Sequence, residues 1–130
     1  FQDSVLGLQY WMFSQFHKKT ILDAIGDMHV LMNQVFNVKK AGAVLVGGGV
    51  PKNFTLQSML MTPNDFTYVI QLTGDRPDLG GLSGATLDEA KSWGKIGEGG
   101  TGVTVYGDAT ITLPILAAAT LERMERKING

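Results

Sequence analysis

Ala43-Val44-Leu45-Val46-Gly47-Gly48-Gly49-Val50-Pro51-Lys52 is the stretch that decides the fold. Its short apolar run reads as a strand buried on both faces, as in a parallel sheet. The glycines then turn the chain. Pro51 suits the first turn of a helix, so a helix is expected over Lys52 to Met61. A glycine turn before a helix N-terminus is a natural anion site. It matches neither Gly-x-x-x-x-Gly-Lys-Ser/Thr nor Gly-x-Gly-x-x-Gly, so a plain turn and a nucleotide contact both remain open readings.

Upstream, Met28, Leu31, Met32, Val35 and Phe36 recur at helical spacing, which predicts a helix from Asp27 to about Val38. Lys39 and Lys40 follow, where cations suit the helix dipole, and Gly42 ends the helix. Val5 to Phe16 reads as an earlier helix with Asp3 or Ser4 as its N-cap.

Downstream, Pro63-Asn64-Asp65 breaks the chain, and Phe66 to Leu72 is rich in β-branched and aromatic residues, as a strand should be. Thr73 to Ala85 reads as a long glycine-rich loop. Thr86-Leu87-Asp88-Glu89 opens a helix in capping-box style. Val103 to Tyr106 is a third strand. Thr110 or Thr112 begins the last helix, with an apolar stripe of Leu113, Leu116, Ala117, Leu121 and Met124.

Strands alternating with helices imply an α/β fold with a parallel sheet and flanking helices. Ligands bind such sheets at the carboxyl ends of the strands. Those ends are Gly47-Gly48-Gly49, Thr73-Gly74 and Gly107-Asp108.

Composition narrows the function classes. The chain has 130 residues, 44% hydrophobic and 18% charged, which suits one globular domain. Its net charge of −1 carries no footprint for nucleic acid. With no cysteine there is no disulfide, thiolate metal site or cysteine nucleophile, and the chain fits a reducing, cytoplasmic setting. No apolar run approaches the roughly 18 residues of a membrane span. No signal peptide is visible, and the start at Phe1 suggests a piece of a longer chain.

Four features have plain readings. Gly81-Leu82-Ser83-Gly84-Ala85 is a near miss for a serine-hydrolase elbow, and no histidine stands where a triad would need one. His17 and His29 lack metal-ligand spacing and read as structural, so no metal is expected. Met28, Met32, Met59, Met61 and Met124 read as core filler. Lys95, after Trp93 and Gly94, is a surface lysine on spacing alone. To act as a nucleophile it would need a desolvating neighbour, which Trp93 could supply.

Taken in order, four motifs resemble the deoxyhypusine synthase family. They are Gly47 to Phe54, Gly80 to Thr86, Glu89-Ala90-Lys91-Ser92-Trp93-Gly94-Lys95, and Val103 to Thr110. The resemblance spans nearly the whole chain and matches the C-terminal half of such enzymes, as part of a single NAD-binding domain with a Rossmann-like fold. It implies an NAD-dependent homotetramer that takes the 4-aminobutyl group from spermidine, holds it as a lysine imine, and passes it to one lysine of the hypusine-containing translation factor precursor.

By the same resemblance Lys95 forms the imine and Lys52 is a second active-site lysine. Glu89, Trp93 and Asn53 stand at substrate positions, and Asp3, Gly48, Gly49, Thr73, Ser83 and Asp108 at NAD positions. Leu8 and Leu82 replace aspartates and Asn53 replaces a histidine. Fewer carboxylates bind a polycation less well, so a related polyamine, with transfer to a free amine as in homospermidine synthesis, is the alternative. A half-subunit needing its N-terminal partner is the other.

Overall fold

The computed structural model describes residues 3–18, 21–92, 94 and 96–129. They divide into two compact units, Phe1–Val30 and Leu31–Gly130.

The first unit holds α1 (Val5–Ser14) and the start of α2 (Ala24–Asn37). Of the two expected caps, Ser4 does the work, its hydroxyl accepting from the Gly7 N–H at 3.0 Å. α2 starts at Ala24 rather than Asp27, because the Asp23 carboxylate accepts from the Gly26 N–H at 2.7 Å and caps the helix earlier. His17 stacks on Phe13, ring centroids 3.7 Å apart.

The second unit is built on a parallel sheet of β1 (Ala41–Val46), β2 (Phe66–Thr73) and β3 (Ile96–Tyr106), in that order. Helix α3 (Gly49–Gln57) follows β1, and α4 (Gly81–Gly84) and α5 (Leu87–Ser92) follow β2. Helix α6 (Ala109–Asn129) follows β3. The α/β class with a parallel sheet and flanking helices is therefore as expected.

Register puts Ala43, Leu45, Val69, Gln71, Gly102 and Thr104 on one face of the sheet. That face carries the core, where Leu45 and Val69 pack with Leu56, Met59, Phe66, Leu87, Ala90 and Ile96. On the other face Val44 and Val46 are each 56% exposed. β1 is thus covered on one side, not both, because α3 and α5 supply side chains to the Leu45 face only.

Other expectations are corrected by local physics. α3 ends at Gln57, short of Met61. The loop after β2 is not wholly irregular: a 3-10 turn (Pro77–Leu79) and α4 organise it. β3 begins at Ile96 rather than Val103, so most of the glycine run is strand. Phe66 pairs with Ile96 and Tyr68 with Thr101, leaving residues 97–100 as a bulge.

Close packing explains Gly100 and Gly102. A Cβ on Gly100 would meet the Phe66 carbonyl at 2.8 Å, and one on Gly102 the Leu87 side chain at 3.3 Å. Of the methionines, Met59 is buried, whereas Met28, Met61 and Met124 are exposed. The expected stripe on α6 is also exposed at Leu113, Leu121 and Met124. α6 begins at Ala109, with Asp108 ahead of it, and not at Thr110 or Thr112.

Candidate functional site

The carboxyl ends of the strands form a rim held by backbone bonds. The Gly47 N–H donates to the Leu72 carbonyl at 2.7 Å, and the Gly107 N–H to the Thr73 carbonyl at 2.9 Å. Gln71, buried in β2, donates its side-chain amide to the Gly47 carbonyl at 3.0 Å. A glutamine inside the apolar run Tyr68-Val69-Ile70-Gln71-Leu72 is the sequence signal for this brace.

Gly48 is the N-cap of α3 and offers no side-chain cap. Gly47 and Gly49 both have positive φ, at 97° and 69°, a conformation that favours glycine. An open hollow beside the start of α3 is lined by Val46, Gly47, Gly48, Pro51, Lys52 and Thr55. Uncapped N–H groups and the helix dipole suit an anion there.

Across the rim, Asp108 lines a second hollow with Gly74, Arg76, Tyr106 and Gly107. Its Oδ1 accepts from the Thr110 hydroxyl at 2.7 Å and from the Thr110 N–H at 2.8 Å. Those bonds, the hydroxyl's first, hold the Asp108 carboxyl below its ordinary value. An ionised carboxylate at a strand end suits sugar hydroxyls. Thr73 is buried, and its hydroxyl accepts from the Asp75 N–H at 3.1 Å.

A third hollow lies between α3 and the α4–α5 segment. Lys52, Asn53, Leu56, Leu82, Ala85, Thr86, Glu89 and Ala90 line it. Lys52 is buried, and its ammonium Nζ donates to the Ala85 carbonyl at 2.7 Å. The Asn53 amide donates to Gln57 Oε1 at 3.1 Å. Thr86 caps α5, its hydroxyl accepting from the Glu89 N–H at 3.2 Å. Among the described residues Glu89 is the one acidic side chain in this lining.

The expected second active-site lysine, Lys52, and the expected substrate positions Asn53 and Glu89 thus meet in one cleft, together with Leu82. Gly48, Gly49, Thr73 and Asp108 stand along the strand-end rim. Asp3 belongs to the first unit, where it is exposed. Lys95, Trp93 and the Ser83 side chain lie outside the described residues. Thr86, Ala85 and Leu56 were missed as lining residues, because small and apolar types carry no chemical signature in a sequence. Among the described residues no group of three or more His, Asp or Glu side chains could hold a metal ion. Nor, among them, is any helix long and apolar enough to cross a membrane.

The family model described as deoxyhypusine synthase matches residues 1–120. The chain is 56% identical over 126 residues to the probable deoxyhypusine synthase 1 of Methanosarcina acetivorans. That alignment covers 97% of this chain and 39% of the relative. Identity is 46% over 122 residues to the probable deoxyhypusine synthase of Methanothermobacter thermautotrophicus, covering 94% and 39%. It is 48% over 121 residues to the probable deoxyhypusine synthase 1 of Archaeoglobus fulgidus, covering 93% and 39%. The chain thus spans about two fifths of the length of these relatives. Matched from its first residue to well inside α6, the chain belongs to the deoxyhypusine synthase family.

Proposed function

We propose that this chain carries the lysine-bearing part of an NAD-dependent aminobutyltransferase. The group moved is the 4-aminobutyl arm of spermidine. It passes through an imine on Lys95 to one lysine of the hypusine-containing translation factor precursor. The observation that carries the reading is the meeting of Lys52, Asn53 and Glu89 in one cleft, within a chain of this family.

The residue types suit the task. Glu89 pairs with a substrate ammonium, and Leu56, Ala85 and Ala90 give the methylene chain an apolar wall. Trp93 lines the amine pocket and desolvates Lys95, whose neutral amine attacks the oxidised substrate carbon. Lys52 completes the pocket as a second lysine. NAD, when bound, would take up the hydride whose loss makes this carbon electrophilic and return it to the imine formed with the acceptor amine, and 1,3-diaminopropane leaves when Lys95 takes the butyl arm. The uncapped start of α3 at Gly48 and Gly49 fits its pyrophosphate, and Asp108 fits a ribose. Thr73, Ser83 and Asp3 complete the proposed cofactor set. The working form is a homotetramer in the cytoplasm, and it includes the further length that the relatives carry.

A second reading has one observation in its favour. Leu82 puts an apolar side chain in the cleft, so among the described residues Glu89 is the one carboxylate in the lining. Such a site suits transfer to a free amine such as putrescine, giving homospermidine. Spermidine labelled in its butyl arm, with NAD and either the precursor protein or putrescine, separates the two. Label on the precursor supports the first reading, and label on putrescine alone contradicts it. Transfer by this chain by itself would contradict a half-subunit that needs its N-terminal partner.

A further inference from the structure

Lys52 makes a contact whose role the family reading does not explain. It is 6% exposed, and its ammonium sits 2.7 Å from the Ala85 carbonyl oxygen. Ala85 ends α4, and Thr86, which caps α5, comes next. The bond therefore ties α3 to the junction from which α5 departs. The junction is also backed from another side: a Cβ on Gly84 would stand 3.0 Å from the Arg76 carbonyl.

We propose that Lys52 is a positioning residue, whose ammonium latches the Ala85 carbonyl and so fixes α5, which presents Glu89 to the cleft and leads into Trp93-Gly94-Lys95. This rests on the reading of the cleft as an amine site. A hydrogen bond from a charged donor is among the stronger ones a protein makes. A buried ammonium is costly unless partnered, so an apolar side chain of similar length would serve packing alone at least as well. The lysine is explained if the junction must be held from a distance, by a long stem with a donor at its tip. α5 has six residues and little stability of its own, so its direction depends on such an anchor.

The test uses the full-length protein with Lys52→Met, Lys52→Gln and Lys52→Arg. Hydrogen exchange is read on the peptide covering residues 86–92, with β2 as the internal reference. Loss of the latch in Lys52→Met should speed exchange there by on the order of tenfold to a hundredfold, with β2 unchanged. Lys52→Arg should restore most of the protection. If Lys52→Met loses β2 protection as well, Lys52→Gln, which keeps a neutral donor, is read in its place. Unchanged exchange over 86–92 overturns the latch.

In the transfer assay the latch predicts a rise in KM for the amine of roughly tenfold, with the pH profile of kcat unmoved. A shifted pH profile with KM unchanged would make Lys52 a proton-handling group and overturn the positioning role. Exchange is read without turnover. An inactive wild-type protein therefore counts against the proposed function, while the exchange result still decides the latch.

Discussion

Asp108 and Thr110 are joined twice: one carboxylate oxygen accepts both the hydroxyl and the backbone N–H of the residue two positions on. The pair closes β3 and opens α6, at the rim where a ligand would reach the sheet.

This pairing has a pH signature. Both bonds favour the ionised carboxylate, so its pKa is lowered in the folded protein. The help Asp108 gives to the start of α6 is complete above the ordinary carboxylate value and is lost as pH falls through the lowered one. In an NMR titration Asp108 should titrate below an ordinary aspartate. Thr110→Val removes the hydroxyl, the larger cause, and should move the midpoint upward. An unmoved midpoint would mean that the hydroxyl does not hold the charge.

Gly100 and Gly99 stand side by side in the β3 bulge yet differ in surroundings. A Cβ on Gly100 would lie 2.7 Å from the Ile96 side chain and 2.8 Å from the Phe66 carbonyl, whereas one on Gly99 would meet nothing within 4 Å. Gly100→Ala should cost about 1–3 kcal/mol in denaturant unfolding. Gly99→Ala should stay within about 0.5 kcal/mol. Equal effects would place the bulge elsewhere in β3.

The bulge also shows where the sequence misleads. Glycines at 97, 100 and 102 disfavour a strand on propensity alone, but here a Cβ would press on Asp65, Phe66 and Leu87 respectively, so the strand needs glycine at these positions. β2 was plain from Phe66 to Leu72, since β-branched and aromatic residues leave few alternatives. Burial was harder to read. Val44 and Val46 look like core, yet which side of β1 is covered depends on where α3 and α5 lie. Lys52, Asn53 and Glu89 were picked out by motif. Their meeting in one cleft, and the Ala85 carbonyl as the partner of Lys52, depend on the path of the chain from 73 to 86.

Thr86 opens a capping-box pattern in the sequence and caps α5 in the structure. Thr86→Ala should lower stability by about 1 kcal/mol. If α5 carries the amine-binding carboxylate, the same change should weaken amine binding more than NAD binding, measured separately by calorimetry. Equal losses would detach α5 from the amine site.

Lys95 gives the sharpest test of the proposed chemistry. The full-length protein, incubated with spermidine and NAD and quenched with borohydride, should yield a Lys95 peptide heavier by a 4-aminobutyl group on digestion and mass spectrometry. Omitting NAD should abolish the adduct. An unmodified Lys95 in an assembled protein shown to bind both ligands, or an adduct on another lysine, would contradict the account.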